Sequence, residues 1–242
     1  MRILWITHDV FEPFFPYLKG KPTQGASWTT PLFYNLRDVE QVKLGSIAPV
    51  TDGEEQKMEI ENVTYYSIPV AKNDNMTGMQ KKLADKYISA IRDFKPDIIH
   101  CNDWQTGVVS AFLKAGFGHI GFLKDIKTVY TIHNLKYQGM FPKEVLGDIL
   151  ELSWDYFNPE GLELHDCVNY MKAGIAYSDI VTTVSKTYAE EIKTDFFGEN
   201  LNGILTKRSE SIFGILNGID YLENDPETDT RIYKNFNAED IE

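Results

Sequence analysis

Cysteine is scarce in this chain. Cys101 and Cys167 are its only two, far apart and outside any Cys-x-x-Cys or Cys/His cluster. That rules out a disulfide scaffold and thiolate zinc sites, and predicts a reduced, cytoplasmic protein. Long apolar runs are missing too. Nothing approaches the roughly 20 residues a bilayer-spanning helix needs, so no membrane span is expected. The apolar start, Met1–Thr7, is short and soon meets His8, Asp9 and Glu12, which reads as a first strand rather than a secretory signal. Basic residues are outnumbered, 24 against 36 acidic, for a net charge of -12. Such a surface repels phosphate backbones, so nucleic acid is excluded as a partner. Several chemical signatures are also lacking. With no His-Glu-x-x-His and no carboxylate cluster, no metal site is expected. There is no Gly-x-Ser-x-Gly elbow, and Ser185 lies in Thr-Val-Ser-Lys instead. The loop after the first strand runs roughly twenty residues, too long for the glycine turn of a nicotinamide enzyme.

What is present is an ordinary globular composition, 43% hydrophobic and 25% charged over 242 residues, enough for one large core or two small ones. Short β-rich runs alternate with segments of helical period. Strands are predicted at Arg2–Thr7, Val42–Ala48, Asp97–Cys101, Lys127–Ile132, Ile180–Val184 and Ile212–Leu216. Lys57–Ile60 and Thr64–Val70 form a predicted hairpin around Glu61-Asn62. Helices are predicted at Ser27–Asp38, Met79–Phe94, Thr106–Lys114, Asn169–Tyr177 and Lys186–Lys193, with a mixed stretch at Gly139–Tyr156. This alternation predicts an α/β fold with a mainly parallel sheet covered on both faces.

Polar residues gather after the strands. Asn102-Asp103-Trp104 follows one strand, His133-Asn134 the next, and Asn217-Gly218-Ile219-Asp220 the last. The first strand feeds a loop with Gly20 and Gly25. In open α/β sheets ligands bind outside the carboxyl ends of the strands, so these clusters predict one site. Each also has a plainer reading: Asp103 as a helix cap, His133 as a hydrogen-bonded structural residue, Asn217-Gly218 as a turn.

The residues at these positions resemble a known family. His100-Cys101-Asn102-Asp103-Trp104-Gln105-Thr106-Gly107 is similar to the H-x-x-D-W-x-x-G segment of bacterial glycogen synthases and plant starch synthases. Thr131-Ile132-His133-Asn134-Leu135-Lys136-Tyr137-Gln138-Gly139 resembles their T-I-H-N-x-x-Y-Q-G segment. Asn169–Gly174, Val181–Ala189 and Gly214–Asp220 continue the likeness in the same order. Before His100, segments such as Asp93–His100 are closer to the broader retaining glycosyltransferases that build capsules.

The resemblance implies the GT-B architecture, two Rossmann-like domains facing across a cleft, and transfer of glucose from ADP-glucose to an α-1,4-glucan end with retention. No cofactor is implied beyond the nucleotide sugar, itself a substrate. His133 and Asp103 are the implied catalytic residues. Trp104, Asn134, Tyr137, Gln138, Gly139, Asn217 and Gly218 are the implied substrate-binding ones. The family's K-x-G-G-L loop is replaced by Lys19-Gly20-Lys21-Pro22-Thr23-Gln24-Gly25, where Lys19 and Gly25 are expected to meet the donor. Residues 1–220 are expected to form the N-terminal, acceptor-side domain, with an acidic tail or the start of an interdomain connection at 221–242. The second GT-B domain is expected to be absent, so these residues alone should transfer little glucose. Two further readings stay open: a capsule-type glycosyltransferase, for which donor preference discriminates, and a non-catalytic carbohydrate-binding domain.

Overall fold

The structure, a computed structural model, describes residues 1–7, 17, 21–22, 36–51, 53–70, 76–116, 120–218 and 225–240. The strands are β1 (Arg2–Ile6), β2 (Lys21–Pro22), β3 (Lys43–Thr51), β4 (Gln56–Ile60), β5 (Val63–Val70), β6 (Ile98–Asn102), β7 (Lys127–Ile132), β8 (Met140–Pro142), β9 (Glu163–Leu164), β10 (Cys167–Asn169), β11 (Ile180–Thr183) and β12 (Ile212–Gly214). The α-helices are α1 (Met76–Phe94), α2 (Asp103–Ala111), α3 (Val145–Asp148), α4 (Tyr170–Tyr177), α5 (Lys186–Glu191) and α6 (Asn202–Lys207).

The main sheet runs β12-β11-β7-β6-β1-β3-β5-β4, and β2 pairs with the end of β3. From β12 to β5 every pairing is parallel; only β4 and β2 are antiparallel. Burial follows from that layout. The central β3 is buried almost throughout, whereas the edge strand β4 alternates between half-buried and exposed, as a strand with one solvated face must. The predicted hairpin forms, with Ile60 opposite Val63 and both turn residues, Glu61 and Asn62, at positive φ.

The chain steps outward from β1 to β3 and β5, then returns to place β6 on the other side of β1. The returning register is pinned by charge. The Arg2 guanidinium lies 4.5 Å over the Phe94 ring and donates to the carbonyls of Phe94 and Lys95 at the end of α1. The Asp97 carboxylate accepts the Arg2 backbone N–H at 2.8 Å. These bonds satisfy helix-end carbonyls that otherwise lack partners. They also set β6 beside β1.

One core packs α1 against the sheet through Leu4, Ile47, Ile91, Phe94 and Ile99. Another gathers Val108, Ala111, Leu146, Leu162, Val168 and Ala173 around α2 and α4. There Gly107 lets the helices touch: a Cβ on it would overlap the Tyr170 carbonyl oxygen.

Several expected boundaries move. The helix predicted at Thr106–Lys114 begins at Asp103 and relaxes into a wider turn at Phe112–Gly116. The last strand stops at Gly214 rather than Leu216. Most of the helix predicted at Ser27–Asp38 lies outside the described residues. The small sheet β8-β10-β9 was not foreseen. β12 is the end strand of the main sheet, and Phe213, Ile215 and Leu216 there are exposed.

Candidate functional site

The order of the sheet reverses between β1 and β6, and in such folds the ligand crevice opens at the carboxyl ends beside that point. Asp103 stands there. It is the first residue of α2 and takes a φ of 52°, an uncommon conformation for a side-chain-bearing residue. It does not cap its helix; Asn102 holds that position, without a side-chain cap bond. The Asp103 carboxylate instead crosses to β7. Its Oδ1 accepts the backbone N–H of His133 at 2.9 Å and that of Asn134 at 3.4 Å. Two strand ends far apart in sequence are thus fastened by one carboxylate.

The His133 ring is held as well, with Nε2 3.1 Å from Asn102 Oδ1. Asn102 is itself fixed by Thr106, whose hydroxyl accepts the Asn102 N–H at 2.6 Å and donates to its carbonyl at 2.7 Å. Beneath this rim runs a polar row. His100 Nε2 lies 2.7 Å from Thr131 Oγ1, which lies 2.6 Å from Thr182 Oγ1. The Trp5 ring meets the His100 ring edge-on at 5.6 Å between centroids. Burial, reinforced by the neighbouring His133, pushes the His100 pKa down to about 4. His133 is also lowered by burial, with the Asp103 carboxylate acting in the opposite sense. Both imidazoles are therefore neutral at pH 7.

The segment after His133 is built as a rigid arm. Asn134 Oδ1 accepts the Lys136 N–H at 3.1 Å, closing a turn. Leu135 is buried, and its N–H donates to the Tyr188 hydroxyl at 3.2 Å. Tyr137 is 63% exposed. The Gln138 amide bridges two loops, accepting from Asn169 Nδ2 at 2.6 Å and donating to the Glu199 carbonyl at 2.8 Å. The carbonyls of Gln138 and Gly139 receive the first N–H groups of α4, from Met171 at 3.0 Å and Tyr170 at 3.1 Å. Gly139 has a φ of 61° and sits flat against Trp104, where a Cβ would overlap the indole. Trp104 in turn packs against Phe141, with centroids 6.1 Å apart.

Asp103, Trp104, His133, Asn134, Gln138 and Gly139 therefore share one end of the sheet, and Tyr137 projects from the same arm. Asn217 and Gly218 are exposed just beyond β12, on the same edge and separated from β7 by β11 alone. Lys19 and Gly25 lie outside the described residues. Among the described residues no group of three or more His, Cys, Asp or Glu is arranged to hold a metal, and no helix is long and apolar enough to cross a membrane. Sequence reasoning placed Asn102 in a rim cluster but gave no role to it, nor to His100, Thr131 or Thr182. A signal existed: Asn102, Thr131 and Thr182 fall opposite one another in register, polar residues at matching depth near the ends of three neighbouring strands.

A family model described as the starch synthase catalytic domain matches residues 33–207. The chain belongs to this family. Among the relatives of this starch synthase-family chain, the glycogen synthase of Alkaliphilus metalliredigens is 54% identical over 149 residues, 62% of this chain and 31% of that protein. The glycogen synthase of Lachnospira eligens is 55% identical over 144 residues, 60% of this chain and 30% of that protein. The matched stretch thus spans about a third of those relatives' length. The catalytic domain of starch synthase IV from Arabidopsis thaliana, solved with ADP and acarbose, superposes with a TM-score of 0.71 at 23% identity, over 99% of this chain and 56% of that one. The fold of this starch synthase-family chain is accordingly a Rossmann-like α/β sheet of the GT-B type.

Proposed function

We propose that these residues form the acceptor-side wall of an α-glucan synthase, which transfers glucose from ADP-glucose to the non-reducing end of an α-1,4-glucan with retention. The observation that carries this reading is the Asp103–His133 junction, in a member of this family, at the point where the strand order reverses. A glycosyl transfer must stabilise positive charge on the sugar ring while a phosphate departs. Preorganised dipoles do that without having to reorient during the reaction. His133 and Asp103 meet the glucosyl unit in this scheme. Trp104, Asn134, Tyr137, Gln138 and Gly139 shape the sugar site, with Gln138 and Gly139 acting through the bonds that hold the arm. Asn217 and Gly218 border the cleft, and Lys19 and Gly25 approach the donor phosphates. The donor is a substrate, and no resident cofactor is assigned. A cytoplasmic setting is in keeping with the two free thiols, one buried and one half-buried.

A second domain supplies the opposite wall, and the greater length of the relatives leaves room for it. The transition state forms between two walls, so the 242 residues alone should carry negligible transfer. Incubation with ADP-glucose and glycogen tests this; turnover comparable with a glycogen synthase would refute it. With the C-terminal part of the Alkaliphilus relative joined on, ADP-glucose should outcompete UDP- and GDP-sugars. In that joined enzyme His133→Ala should lower kcat by about a hundredfold or more while the unfolding midpoint stays nearly fixed. If turnover per folded molecule held and stability fell by several kcal/mol, His133 would be a structural residue only.

A further inference from the structure

We propose that Asn102 is a positioning residue for His133: its side-chain carbonyl fixes the imidazole in the Nε2-protonated tautomer and holds the ring's rotation. The geometry gives Asn102 both parts of that task. Its Oδ1 lies 3.1 Å from His133 Nε2, and an amide oxygen accepts but never donates, so the proton belongs on the histidine nitrogen. The backbone from which that carbonyl projects is held on both its N–H and its C=O by the Thr106 hydroxyl. The backbone beneath the ring is locked too, by Asp103 Oδ1 at the His133 N–H. Main chain and ring are thus anchored by adjacent residues at the β6–α2 junction.

The titratable neighbours act in opposite directions. Asp103, at the head of α2, favours the imidazolium, while burial disfavours it. His100, on β6, is lowered in part by the nearby His133. A neutral imidazole protonated on Nε2 carries its lone pair on Nδ1. A role for that tautomer in catalysis rests on the proposed contact between His133 and the sugar; the tautomer itself does not.

Imidazole nitrogen NMR on the 15N-labelled 242-residue chain near pH 8 reads the tautomer directly, with His133 assigned by loss of its signals in His133→Gln. The expected spectrum has a protonated Nε2 and a lone-pair Nδ1. Asn102→Ala should convert this to a mixture of tautomers. Asn102→Asp, close to isosteric, should keep the tautomer and raise the His133 titration midpoint by about one unit or more, because a carboxylate then faces the ring. A cooperative thermal transition close to that of the wild type verifies that each variant is folded.

An Nδ1-protonated wild type would overturn the proposal. So would an unchanged tautomer in Asn102→Ala, or an unmoved midpoint in Asn102→Asp. The joined two-domain enzyme separates this inference from the functional reading. If His133→Ala leaves turnover intact while Asn102→Ala still scrambles the tautomer, the catalytic reading falls and the positioning stands. If His133→Ala abolishes turnover while Asn102→Ala changes neither tautomer nor pH profile, the positioning falls alone.

Discussion

Gly139 combines two constraints that act independently. Its φ of 61° suits a residue without a side chain, and the indole of Trp104 occupies the space a Cβ would need. Gly139→Ala should therefore destabilise by about 2 kcal/mol, measured as a lowered urea midpoint. A change in Trp104 fluorescence should accompany it, because the indole must shift. The half-buried imidazole of His100 below gives a pH signature at the same scale. His100 is lowered from 6.5 to about 4 in the folded chain, so between those values the unfolded chain binds more protons. Its contribution to stability is whole above pH 6.5 and drains away as the pH falls toward 4, by about 3 kcal/mol. His100→Gln should flatten that part of the stability–pH curve relative to wild type. An equal slope in both proteins would show that His100 is not held neutral.

Among the elements, the closest approach is that of α2 to α4, which Gly107 permits. Gly107→Ala should cost about 2–4 kcal/mol, because the obstacle is the Tyr170 backbone carbonyl rather than a movable side chain. Loss of the native thermal transition, or a large fall in its midpoint, is the expected result. Elements of this kind also show what a sequence reveals. β1, β6 and β7 were legible because each is an apolar run bounded by turn or charge signals, and the hairpin was legible from its two flanking runs. β8, β9 and β10 were not, because two or three residues cannot display a period of two. Asp103 looked like a cap because Asp before a helix usually is one. Its carboxylate serves β7 instead, a long-range partnership no local pattern encodes. Asn102 was placed at the rim but given no role for the same reason, since its partner is a ring 31 positions away.

Across the whole molecule, strand order does the gathering. Parallel pairing from β5 to β12 sends every carboxyl end to one rim, so polar clusters scattered along the chain needed only that topology to become neighbours. The sequence order of strands and helices predicted the rim; which side chains would clasp one another across it emerged only from coordinates. Topology also decides where the sheet stops. β12 is three residues long, and the residues in and after it, Phe213, Ile215 and Leu216, are 49%, 60% and 80% exposed. Among the described residues β12 ends the sheet, and an end strand with an apolar fringe is a template for adding another strand. Sedimentation velocity on the 242-residue chain should show self-association that grows with concentration, and Leu216→Lys should suppress it. Handled on its own, then, this chain should be sticky along β12, and covering that seam should protect it from aggregation.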